Sequence, residues 1–256
     1  MTYAIGVYAN MCRLMGYVSQ SKTSFPSIVG DGFSEFVALS SVHCDGWGLS
    51  TVDQAGAHTV VEKRVEAAAT SDSFEAAVAD NAADGALLHL RWATKGLSNS
   101  ENNTHPFMYG DYSFIHNGSI FPPDVIAPFI DSKFLPLIVG DTDSERYFYL
   151  VMTEVEKLGL VDGIKSALTI IKEHGDTTSL NCMLMNREFF IIVSEHNVDR
   201  KPDWAVDDYY ELKYLPSPEG LLFASSGWNQ PGWKNLDNHH IAVVNRSTFE
   251  IEVIAL

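Results

Sequence analysis

Residues Met11-Cys12-Arg13-Leu14-Met15-Gly16-Tyr17-Val18 set a methionine directly before a cysteine, and an apolar run of strand type follows. This stretch constrains the fold more than any other. If the working chain starts at Cys12, the rest must build a pocket around the start of its first strand. A thiol is a weak nucleophile until a base takes its proton. A chain-terminal amine has an ordinary pKa of about 7.7–8.0 and could be that base. On Cys12 it would be held in reach of the thiol by covalent geometry. With residues 1–11 attached, the same nitrogen is an amide and the mechanism is lost. Residues 1–11 therefore read as an N-terminal extension, either a mis-chosen start with Met11 as initiator or a propeptide. Met11 favours the first, because initiator methionine is readily removed before a small residue.

The 256 residues carry a formal net charge of -16. A surface this acidic repels phosphate backbones, which argues against nucleic acid and against docking on an anionic membrane. The three cysteines, Cys12, Cys44 and Cys182, are too few and odd in number for a disulfide framework. A cytoplasmic location is expected. No Lys or Arg precedes Cys12, so a basic secretory n-region is missing, and no apolar run reaches membrane-span length. Cys44 and Cys182 read as structural. No CxxC or HxxxH pair and no phosphate-binding glycine loop occurs, so neither a metal nor a cofactor is expected.

In order, residues 12–19 read as a strand, 34–43 as a short helix, 58–64 as a strand and 73–83 as a helix. Residues 86–93 read as a buried strand that ends in Arg91-Trp92-Ala93-Thr94. A polar loop over 95–111 is long enough to suggest function. Residues 112–116 form a strand that runs into Asn117-Gly118. A helix opens at Thr142-Asp143-Ser144-Glu145 and runs to about 158, with Tyr147, Val151, Val155 and Leu158 on one face. A second helix covers roughly 161–174. Strands follow over 181–185, 189–194, 209–215, 221–225, 240–244 and 249–254. Strands at both ends with helices between predict a single α+β domain over 12–256, built of layered antiparallel sheets.

Several pieces carry chemistry, and each has a plain alternative. Arg91 is either a cation reaching solvent from a strand end or a guanidinium fork that grips a carboxylate. His105-Pro106 is a turn, a loop-positioning element or the base of a Cys/His pair. Asn117-Gly118 is either a tight hairpin or an oxyanion hole. Thr142 and Glu145 form a capping box, which leaves Asp143 free to present a carboxylate to an amine. Asp45-Gly46-Trp47-Gly48 reads as a tight turn or a close backbone approach.

Taken in series, Cys12-Arg13-Leu14-Met15-Gly16-Tyr17, Asp45-Gly46-Trp47-Gly48, Arg91-Trp92-Ala93-Thr94, His105-Pro106-Phe107, Asn117-Gly118 and Thr142-Asp143-Ser144-Glu145 resemble the class-II, N-terminal-nucleophile (Ntn) glutamine amidotransferases. Ala224-Ser225-Ser226 and Pro231-Gly232-Trp233 are similar to their small stand-alone members. The resemblance implies a four-layer αββα sandwich. It implies that Cys12 attacks the side-chain amide of glutamine or a γ-glutamyl compound, with its own amine shuttling the proton. Asn117 and Gly118 would hold the oxyanion, Arg91 the substrate α-carboxylate and Asp143 its α-amine. Trp92, Thr94 and His105 would line the pocket. Lys95 stands where many relatives have histidine. No synthase domain follows in this sequence, so the resemblance implies either plain γ-glutamyl hydrolysis or ammonia supply to a separate synthase subunit. A non-catalytic regulatory descendant and a papain-like thiol hydrolase are the rivals. A homodimer is compatible with all of these readings.

Overall fold

In a computed structural model, residues 12–56, 61–93, 96–201 and 206–256 are described. The expected extension over 1–11, the first part of the 58–64 strand, Thr94 and Lys95 lie outside them.

The chain runs β1 (Arg13–Thr23), α1 (Phe25–Val29), α2 (Gly32–Ala38), β2 (Gly46–Thr51), β3 (Val61–Arg64), α3 (Asp72–Asp80), β4 (Ala83–Arg91), β5 (Phe107–Tyr109), β6 (Tyr112–Phe121), α4 (Asp143–Leu158), α5 (Leu160–His174), β7 (Asp176–Met185), β8 (Phe189–Ser194), β9 (Leu212–Ser217), β10 (Gly220–Ser225), β11 (Lys234–Leu236), β12 (His240–Asn245) and β13 (Ile251–Ala255). One sheet has the order β11-β9-β10-β1-β4-β2-β3 and the other β13-β12-β8-β7-β6-β5. Neighbouring strands pair antiparallel throughout.

Alternation along the strands makes the layers. Side chains two residues apart share a face of a sheet. Leu14 and Val18 of β1 face the space between the sheets, with Leu87, Ile115, Met183, Phe190, Ile192 and Phe223. Met15 and Tyr17 of the same strand face outward, against Phe25, Phe33, Phe36 and Phe74 from the first three helices. On the second sheet, Leu180, Cys182, Leu184, Ile191 and Val193 face outward against Tyr147, Leu150, Val151, Leu168 and Ile171 of α4 and α5. Three apolar cores between four layers make the αββα sandwich.

Local readings gave way to pairing in several places. Asn117-Gly118 is not a hairpin turn but lies within β6, where Asn117 pairs with Asn181 and Gly118 with Leu180. Gly46 to Gly48 belongs to strand β2 rather than a turn, and its glycines serve the close approach instead. A Cβ on Gly48 would sit 1.8 Å from the His105 carbonyl oxygen. Strand β9 starts at Leu212 rather than 209, because Tyr209 and Tyr210 lie in a turn. Leu158, expected on the buried face of α4, is exposed at the last residue before the Gly159 turn. Cys44 is exposed as well, whereas Cys182 is buried beneath α4, 3.4 Å from the Tyr147 hydroxyl. The short elements α1, β5 and β11 had no periodic signal to reveal them.

Candidate active site

The start of β1, the end of β4, the segment leading into β5, the middle of β6 and the first turn of α4 meet at one end of the sandwich. Cys12, Arg91, Trp92, His105, Gly118 and Asp143 line one pocket there. Asn117 is buried one residue before Gly118 but is not among the lining residues, and its side-chain oxygen accepts no hydrogen bond. Six of the eight expected residues thus share a pocket, Asn117 lies next to it, and Thr94 is outside the described residues.

Cys12 is half-buried, and its Sγ donates to the Trp92 carbonyl oxygen at 3.8 Å rather than to a histidine. Burial pushes the thiol up to about 11, against the opposing effects of the Trp92 carbonyl contact, Arg91 and Arg13. At neutral pH the group is a thiol, so an attack through sulfur needs a base.

Arg91 ends β4, 3% exposed. Its guanidinium donates to Asn99 Oδ1 at 2.8 Å and to the Ser98 carbonyl at 3.4 Å, both neutral acceptors. Among the described residues it has no ion-pair partner, and burial lowers its pKa. Asp45 braces this arrangement. Its carboxylate accepts from the Ala93 N–H at 2.8 Å and from the Asn99 side chain at 3.3 Å. The Asp-Gly-Trp-Gly run therefore holds the chain that follows Arg91.

Asp143 opens α4. Its Oδ2 accepts from the Ile120 N–H at 2.6 Å. Burial raises its pKa, opposed by nearby His116 and by backbone N–H donors. Thr142 caps the helix by accepting from the Glu145 N–H at 3.2 Å. The expected reciprocal half of the capping box differs. The Glu145 carboxylate turns back to the Val139 and Gly140 N–H groups, at 3.1 and 2.7 Å, and orders the chain entering the helix. Asn103 joins the two sides of the pocket by donating to the Ser98 carbonyl and accepting from the Asp141 N–H.

Sequence reasoning missed Asn103, His89, His116 and the placement of Arg13. Arg13 is buried, donates to the Cys12 carbonyl at 3.1 Å and lies 4.5 Å over the Tyr209 ring. Its position directly after Cys12 was the available signal. His89 precedes Arg91 by two residues and His116 directly precedes Asn117, so both sat inside the recognised segments. Both rings are buried, with pKa values lowered by loss of solvent, His89 to about 3. Among the described residues no cluster of three His, Cys, Asp or Glu side chains is set to hold a metal ion, and no helix is long and apolar enough to cross a membrane.

Two packed antiparallel sheets with helices on both outer faces define an Ntn-hydrolase-like fold, with this pocket at its first strand. The fold matches a class-II glutamine aminotransferase domain protein of Silicibacter pomeroyi, with TM-score 0.66 and 17% identity over 96% of this chain and 99% of that one. It also matches the glutamine phosphoribosylpyrophosphate amidotransferase of B. subtilis, with TM-score 0.60 and 15% identity over 95% of this chain and 49% of that one. In sequence, 62% of the chain is 26% identical to 25% of the glutamine–fructose-6-phosphate aminotransferase (isomerizing) of Aliivibrio fischeri. The chain thus spans about a quarter of that relative and half of the B. subtilis protein. The family model for class-II glutamine amidotransferases matches residues 11–201, and the chain belongs to that family.

Proposed function

We propose that the mature chain begins at Cys12 and hydrolyses the side-chain amide of glutamine or a γ-glutamyl compound. One observation carries this reading. A thiol, a buried guanidinium with only neutral hydrogen-bond partners and a buried carboxylate line a single pocket. A glutamyl head group carries the complementary pair of charges, an α-carboxylate for Arg91 and an α-ammonium for Asp143, and its amide carbon would then lie toward Cys12. The Cys12 amine takes the thiol proton and sulfur attacks the carbonyl carbon. The oxyanion rests on donors from Asn117 and Gly118, worth about 2.7–4 kcal/mol each. The amine returns its proton to the departing nitrogen, and water then releases glutamate from the thioester. Trp92 and His105 complete the walls.

A second reading, ammonia supply to a separate synthase, draws on the relatives, which are about two to two and a half times as long as this chain.

The test uses protein prepared with Cys12 as its first residue beside protein retaining residues 1–11. The expected result is turnover of γ-glutamyl substrates by the first alone. It should be abolished in Cys12→Ala and kept in Cys44→Ala. Equal turnover by both preparations would remove the amine from the mechanism and restore the Cys/His rival.

A further inference from the structure

We propose that His105 is a catalytic residue of this site, whose ring accepts a hydrogen bond from the nitrogen that leaves the substrate. The proposal rests on the γ-glutamyl hydrolysis reading and assigns a role to a residue so far treated only as part of the wall.

Three observations converge. His105 lines the pocket with Cys12 and Asp143. It is 4% exposed, and neither ring nitrogen has a hydrogen-bond partner among the described residues. Buried polar atoms are almost always paired, and an orphan at a pocket wall points to a ligand. The ring is also locked in place without using its nitrogens. It stacks on His89 with centroids 4.1 Å apart and meets Phe107 edge-on at 4.7 Å. Its carbonyl lies against Gly48, where no side chain would fit. His89 is fixed in turn, since its Nε2 lies 3.3 Å from the His116 carbonyl oxygen. Packing thus holds the imidazole while both nitrogens stay available.

Burial and the neighbouring His89, His116, Lys63 and Arg91 push His105 well below the ordinary histidine range. The ring is therefore neutral at pH 7, with one lone pair and one N–H. The lone pair accepts from the amide N–H of the substrate. As the carbon–sulfur bond forms, that hydrogen bond orients the nitrogen lone pair toward the Cys12 ammonium. The carbon–nitrogen bond then breaks, the nitrogen takes the ammonium proton and leaves as a neutral amine. His105 ends the step with the protons it started with.

The test compares two substrates on one preparation of the enzyme starting at Cys12. γ-Glutamyl-p-nitroanilide has a leaving nitrogen that needs little help, and γ-glutamyl-ethylamide has one that needs much. The ratio of the two kcat/KM values is independent of how much of a variant is folded. For His105→Leu and His105→Phe, which carry no acceptor, turnover of the ethylamide is expected to fall about tenfold, the scale of one lost hydrogen bond. The anilide is expected to fall less than about twofold. His105→Gln, which keeps an acceptor, should lie between. Equal losses on both substrates would overturn the proposal and leave His105 a wall. No turnover of either substrate by the unsubstituted enzyme would instead overturn the hydrolysis reading beneath it.

Discussion

Arg91 is held by Asn99 and Ser98 and forms no ion pair among the described residues, with the Asp45 carboxylate acting on it only from a distance. A guanidinium grips a carboxylate with two parallel N–H donors, which a lysine ammonium cannot reproduce. Arg91→Lys is expected to lower kcat/KM for γ-glutamyl substrates about 10- to 100-fold, mainly through KM, matching about 1.5–3 kcal/mol for a charged hydrogen bond. A shift confined to kcat would show that Arg91 acts on the reacting atoms instead. Asp143 accepts backbone N–H groups from Ile120 and from its own helix start, and it meets no ammonium or guanidinium in an ion pair among the described residues. In Asp143→Asn, discrimination between free and N-acylated γ-glutamyl substrates should shrink. Undiminished discrimination would place the amine elsewhere. The positions were readable in the chain, because a cation at a strand end and an acid at a helix start are local features, whereas the roles came from the family resemblance. The brace by Asp45 was not, since it joins residues 48 apart in sequence.

Strand β2 shows what an element contributes. Its glycine lets the His105-Pro106 segment lie on the inner face of the first sheet. Gly48→Ala forces a methyl group into that backbone. Such overpacking costs roughly 1–3 kcal/mol and sometimes more. For a chain of this length that is a fall in melting temperature of about 2–4 °C per kcal/mol. Activity should fall further than stability, because His105 moves with its carbonyl. Thermal melts and turnover measured on the same sample would separate the two. The residues of this contact were visible in the sequence, but the contact was not. Glycine beside tryptophan signals a turn as well as a close approach, and only the neighbouring segment decides between them.

Across the whole molecule, three buried histidines at the sheet interface and the base of α4 couple the fold to pH. His89 falls from 6.5 to about 3, and His105 and His116 are lowered too. Between those values the unfolded chain binds protons that the folded chain refuses. For His89 the stability is thus complete above about pH 6.5 and lost as pH falls toward 3, at about 1.4 kcal/mol per pH unit, and His105 and His116 act in the same direction. Asp143 has the opposite sign. Its raised pKa stabilises the fold at low pH, and this is lost as pH rises through the folded value. The large fall of His89, from 6.5 to about 3, sets a net acid sensitivity. Urea midpoints should fall between pH 7 and pH 4.5, and His89→Gln should flatten the slope by about one proton. An unchanged slope would mean that His89 is protonated in the folded state.

The sequence by itself determined which groups could do chemistry, in what order they come, and the succession of strands and helices that predicts layered antiparallel sheets. Each of these depends on residue type or on neighbours a few positions away. The tertiary structure decided that Asn117-Gly118 is strand rather than turn, and that Glu145 caps the preceding loop rather than its own helix. It also decided that His89 props His105 and that Cys12 meets the Trp92 carbonyl, 80 residues along the chain. Those outcomes follow from which strands pair and how closely two sheets pack. The burial that sets the thiol and imidazole pKa values comes from that packing, and no local pattern encodes it.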